Sequence, residues 1–168
     1  TMSNLYVDNI VEKTSGNGVH IPGHVLQTQF YKSNTYLSSS NTSWSNTGYE
    51  INFTPKDANS ILSIDVSLTG LGINNNGSLS LYFNIYKDGV AHQLLDTHWG
   101  YVPGAGTGWR ILSGNWSTNV NATNTTARTY ALYWMQTDST GYRTINNYAG
   151  GGASNAGFSQ MRIMEIAQ

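Results

Sequence analysis

The chain has 168 residues, 10% of them charged, with 8 basic and 9 acidic side chains and a formal net charge of −1. No basic surplus exists to displace counterions from a phosphate backbone, which excludes nucleic acid as the partner. The absence of cysteine excludes disulfides and thiolate metal sites, and apolar runs too short for a bilayer exclude membrane insertion. With 39% hydrophobic and 12% aromatic residues, the chain still has ample side chain to bury, enough for one domain with a short appendage.

The appendage is Leu5 to Gly23, with short alternations at Leu5 and Val7 and at Val19 and Ile21, a glycine-bracketed turn at Gly16-Asn17-Gly18, and Pro22-Gly23 as a stop. Asn-Gly between extended runs predicts a hairpin-like turn. So few apolar side chains cannot offset the entropy of ordering such a segment alone, so it must lean on the domain that follows or on copies of itself in other chains, and copies of itself are the expectation.

The main domain opens with a strand at Val25–Tyr31. A polar stretch at 33–48 follows, with Tyr36 and Trp44 as isolated anchors, then a short strand at Tyr49–Phe53 that ends before Pro55. Ile61–Leu68 sets Ile64, Val66 and Leu68 against Ser63, Asp65 and Ser67, and Leu79–Ile85 repeats that alternation, with a hairpin-like loop at 70–77 between them. Asp88-Gly89 turns the chain into Val90–Leu95. The stretch 98–116, rich in glycine and tryptophan, reads as a long loop holding a possible strand at Arg110–Leu112. Thr129–Thr137 carries large apolar groups on both faces, as does Phe158–Ile166, and 146–157 reads as a flexible loop.

No segment sustains a 3.6-residue apolar period. The eight or nine short strands predict an all-β, jelly-roll-like β-sandwich over 24–168, preceded by a short β-stem over 1–23. A sandwich buries one face of each strand. The second apolar faces of two strands therefore predict packing against further copies of the chain, with Leu5, Val7, Ile10, Val19, Ile21, Tyr133, Met135, Met161, Ile163, Met164 and Ile166 at the interface.

The run Val7-Asp8-Asn9-Ile10-Val11-Glu12-Lys13-Thr14-Ser15-Gly16-Asn17-Gly18-Val19-His20-Ile21-Pro22-Gly23-His24-Val25 resembles a segment of bacteriophage fibre and virion appendage proteins. The ending Met161-Arg162-Ile163-Met164-Glu165-Ile166-Ala167 resembles their M-E-I-A terminus. The resemblance implies a threefold, prism-like stem ahead of a β-rich distal domain. It also implies a homotrimer in the virion, joined to other virion proteins upstream, that attaches to a host cell-surface glycan or protein. The lack of a signal peptide fits release by lysis. A capsid-anchored head fibre or decoration protein, and a monomeric carbohydrate-binding module, are the alternative readings.

No acid pair or G-x-S-x-G motif points to catalysis, so the chain reads as a binding protein rather than an enzyme. No cofactor is expected. His20 and His24 could meet an ion on a threefold axis, but as stem histidines they fit exposed or hydrogen-bonded roles better, and no metal is assigned. Sugar binding is the sharper expectation, because aromatic rings stack on C–H-rich sugar faces while nearby polar groups supply directional hydrogen bonds. The candidates are Trp99, Tyr101, Trp109, Tyr142 and Tyr148 with the polar neighbours Asp96, His98, Asp138 and Arg143. Trp109 and Trp116 also fit as core or interface anchors.

Overall fold

The computed structural model describes residues 11, 21–74, 81–99, 109–137, 141–146 and 157–168. Among these are ten strands: β1 (Val25–Ser33), β2 (Leu37–Ser39), β3 (Ser45–Phe53), β4 (Ile61–Asn74), β5 (Leu81–Lys87), β6 (Val90–Trp99), β7 (Trp109–Asn121), β8 (Arg128–Gln136), β9 (Tyr142–Ile145) and β10 (Ser159–Ile166). All pairings are antiparallel, and they are nested: β1 with β10, β2 with β9, β3 with β8, β4 with β7 and β5 with β6. The domain is thus one long double-stranded ribbon, folded back at Asp88-Gly89 and rolled up. Rolling adds the lateral pairs β10–β4, β4–β9 and β5–β8 and produces two sheets, β1-β10-β4-β9-β2 with β7 alongside β4, and β3-β8-β5-β6. That nesting is the connectivity of a jelly roll.

The turn that starts the ribbon is set by local chemistry. Lys87 pairs with Val90 across two residues that both have positive φ, Asp88 at 51° and Gly89 at 79°, the mirror-image turn whose twist suits a hairpin. Asp88 is also tied to β8. Its N–H donates to Thr129 O at 2.8 Å, its Oδ1 accepts the Thr129 N–H at 2.9 Å, and its Oδ2 takes Arg128 Nη1 at 3.0 Å.

The core lies between the sheets. Leu62, Ile64, Val66 and Leu68 of β4, Phe83 and Ile85 of β5, Tyr130, Leu132 and Trp134 of β8, and Met161 and Ile163 of β10 point into it and are buried. Each such side chain contributes about 1.5–3 kcal/mol by leaving water. Met161 and Ile163 thus belong to the protomer's own core and cannot meet a second chain, contrary to the interface expected for them. Strand alternation sends only Met164 and Ile166 outward, both half-buried. Ala131, Tyr133 and Met135 likewise face out from β8, opposite to Tyr130, Leu132 and Trp134.

Several expected loops are strand. Residues 70–74, expected in a hairpin-like loop, belong to β4, which runs on to Asn74 in one sheet while β5 lies in the other, and the rest of that expected loop lies outside the described residues. Trp109–Asn121 is a continuous strand, and Trp116 is a core anchor whose ring meets Phe83 at 4.8 Å between centroids. Gly114 makes room for it: a Cβ there would lie 2.2 Å from Trp116 Cη2.

At the end where the chain enters, Gly23 N–H donates to Ala167 O at 2.8 Å and Ala167 N–H to His24 O at 2.9 Å. Beside this joint Glu165, inward by alternation, is fully buried. Its carboxylate accepts the N–H groups of Lys56 and Asp57 (both 2.9 Å), Ser60 Oγ (2.7 Å) and Gln27 Nε2 (2.6 Å). The β3–β4 connection is thereby folded onto the last strand.

Glu165→Gln sets an amide N–H against backbone N–H donors, and is expected to lower stability by about 2–4 kcal/mol. The readout is a lower urea midpoint with unchanged slope. For Asp88 the Thr129 N–H, and after it Arg128, holds the carboxyl below its ordinary value of 3.8. A carboxyl depressed on folding stabilises above its unfolded pKa, and that contribution fades as pH falls through the folded one. Asp88→Asn should therefore be less stable than the parent at neutral pH, with the gap closing below about pH 4 in urea titrations.

Candidate functional site

The nested pairing gives the domain two unlike ends. At one, Ile61 and Asn121, Val25 and Ile166, and Lys87 and Val90 lie in register around the chain's point of entrance. At the other, Ser33 pairs with Ser159, Asn74 with both Trp109 and Tyr142, and Leu81 with both Trp99 and Gln136. The strand ends that bound 75–80, 100–108, 138–140 and 147–156 are therefore gathered at this second end.

This is where several predicted binding residues meet. Tyr142 is 55% exposed on β9, in register with Asn74, which on its other side faces the backbone of Trp109. The backbones of Asp96, His98 and Trp99 form the last part of β6, and that of Trp109 the first residue of β7; their side chains lie outside the described residues, as do Tyr101, Asp138 and Tyr148 entirely.

Arg143 is no receptor contact. It is fully buried, because β9 turns it inward beneath Trp134. Its guanidinium sits 4.5 Å over the Trp134 ring and donates to Asn41 O, to Ser45 Oγ at 3.1 Å and to Trp134 O at 3.5 Å. Those acceptors and the π face of the indole compensate the charge. Burial lowers the Arg143 pKa to about 10, so the group stays cationic at neutral pH. Its rigid fork ties the chain before β3 to β9 and β8.

Next to it, Asn146 closes a defect. β4 changes partner from β10 to β9 across a bulge between Leu68 and Leu71. The backbone freed there is met by Asn146 N–H to Thr69 O at 2.9 Å and by Thr69 N–H to Ser159 Oγ at 2.9 Å. Asn146 Nδ2 donates to Thr35 O (2.9 Å), Tyr49 Oη (2.9 Å) and Ser33 O (3.1 Å), while its Oδ1 accepts Ser159 Oγ at 2.6 Å. Its φ of 59° is one that asparagine tolerates better than most residues. A residue expected in a flexible loop instead locks β1, β3, β4 and β10 together.

The outward faces differ. The four-stranded sheet carries an aromatic layer: Tyr86 stacks on Tyr133 at 3.8 Å and 11°, and Trp44 lies 6.2 Å from Tyr86. Tyr133 and Met135, both expected at an interface, are half-buried in and beside this layer. Around the joint at the entrance end, Ile21 is 45% exposed and Val25 41%, beside half-buried Met164 and Ile166. The other expected stem contacts, Leu5, Val7, Ile10 and Val19, lie outside the described residues. No group of three or more metal-binding side chains occurs among the described residues.

No protein-family model matches the chain, and no curated protein matches it. Among solved structures, the VP2 subviral particle of infectious bursal disease virus matches with 12% identity and a TM-score of 0.49, over 94% of this chain and 45% of that one. T=1 particles derived from the same virus match with 12% identity and a TM-score of 0.47, over 84% and 37%. The T13 particle gives 11% and 0.46, over 83% and 39%. The chain spans less than half the length of each, and likeness at this level adds nothing to the strand order.

Arg143→Lys keeps the charge but loses the fork, and is expected to cost about 1–3 kcal/mol of stability. Thermal and urea unfolding check this.

Proposed function

We propose that this chain is a virion structural protein, the distal domain of a homotrimeric bacteriophage fibre that attaches to the host cell surface by binding, without catalysis. The observation that carries the reading is the polarity of the domain. The chain enters at one end, stitched to Ala167 and ringed by outward Ile21, Val25, Met164 and Ile166, while the strand ends bounding the long connections gather at the other. A lone protomer leaves those apolar side chains in water beside a leader that cannot build a core alone, and further copies of the chain would cover both. The resemblance of the leader and of the M-E-I-A ending to phage fibres supplies the number three. It also supplies the upstream virion partners and the extracellular setting. Three identical tips on one rigid stem turn weak individual contacts into avid attachment.

Light scattering on the 168-residue chain at micromolar concentration tests this. The expected mass is three times 18.4 kDa, falling to one chain in a Val25→Lys/Ile166→Lys variant that keeps its β-sheet circular dichroism. A single-chain mass for the parent overturns the fibre reading and favours a monomeric carbohydrate-binding module.

A further inference from the structure

The outer face of the larger sheet carries a feature that neither the leader nor the aromatic residues at the far end account for. In the register of β10, β4 and β7, Gln160, Ser67 and Asn115 form one outward row, and Arg162, Asp65 and Ser117 form the next. These six, with Val66 and Trp116 between them, line a hollow of about 380 Å³. On β1 the first row is continued by Lys32 and the second by Phe30, whose ring is 55% exposed.

The chemistry of the lining selects its ligand. Arg162 Nε and Nη2 both donate to the same oxygen, Asp65 Oδ2, at 3.0 and 2.6 Å. The second carboxylate oxygen is thereby directed to other donors. The pair cancels its own charge, so the lining itself carries no net charge, and the one flanking cation, Lys32, sets its ammonium over one face of the Phe30 ring at 5.6 Å. What it offers is two amides, two hydroxyls, a carboxylate oxygen and guanidinium N–H groups, each able to bond a hydroxyl that both donates and accepts. An exposed aromatic ring beside them suits the C–H face of a sugar.

We propose that this hollow binds an uncharged saccharide unit of a cell-surface glycan. The inference rests on the attachment reading for its biological purpose but not for its chemistry. Gln160 lies six residues along β10 from Ile166, roughly 20 Å at strand rise, so the hollow sits on the flank toward the far end, clear of the apolar joint. The ligand is met by a rigid sheet, with side chains held in register by three strands.

The test is an array of uncharged bacterial-surface oligosaccharides probed with the 168-residue protein, followed by calorimetric titration of the strongest binder. Ser117→Trp, which fills the hollow from an exposed position, should weaken binding roughly tenfold or more. Asn115→Ala should weaken it by about fivefold, and Val90→Ala, at the exposed hairpin of the other sheet, should leave it within about twofold. Circular dichroism and mass should be unchanged in all three. Undiminished affinity in Ser117→Trp, or a loss confined to Val90→Ala, overturns the proposal. So does a parent protein that retains no saccharide. In that case binding of the same protein to whole host cells leaves the attachment reading standing with a different receptor, whereas failure to bind cells as well removes both.

Discussion

Everything in this molecule depends on one ribbon of paired strands closing back from Asp88-Gly89. Because each later strand must find its partner on the outside of those already paired, only the first hairpin is local, and the outermost ladder joins Val25–Ser33 to Ser159–Ile166 across almost the whole chain. Entropy makes such distant pairing expensive until the inner turns are in place. The mirror-image turn, with Asp88 gripping Thr129 and Arg128, joins the innermost hairpin to the first residues of β8 as the roll begins.

A rolled ribbon leaves defects where strands change partners or connections cross its ends, and four buried polar side chains meet them. Asn146 and Ser159 satisfy the backbone where β4 passes from β10 to β9. Glu165 gathers the β3–β4 connection at the opposite end. Arg143 ties down the segment before β3 and stacks on the core tryptophan. Each is expensive to bury and is held by several hydrogen bonds, which is the condition under which burial is tolerated. They also tie neighbouring strands and connections together at both ends of the domain.

How much of this was legible in the sequence follows from which strands alternate cleanly. Ile64, Val66 and Leu68, and Leu81, Phe83 and Ile85, announced their strands and their inward faces, and Asp88-Gly89 announced the turn. β7 was obscured because its inward positions include Gly114 and Thr118, and a glycine beneath a tryptophan reads as loop until the ring is seen lying over it. β9 was hidden for the opposite reason: besides Ile145 its inward side carries an arginine, whose polarity alone pointed it at solvent. Glu165 shares its parity with Met161 and Ile163, a signal that was present but outweighed by the habit of sending acids outward. The hollow was invisible because its residues come from three strands distant in sequence, and only the register brings them into rows.

Function, in this account, is a matter of direction: an apolar joint of Ile21, Val25, Met164 and Ile166 at one end, and a flank held in register by three strands leading toward the other. The most direct test exploits the absence of cysteine. Nitroxide labels on single-cysteine variants at Ile21 and at Asn115 would report distances between protomers by pulsed dipolar spectroscopy. The account predicts a narrow, short distance at Ile21, near the common axis, and a clearly longer one at Asn115 on the flank. Absence of any coupling at Ile21, or a shorter distance at Asn115, would contradict it.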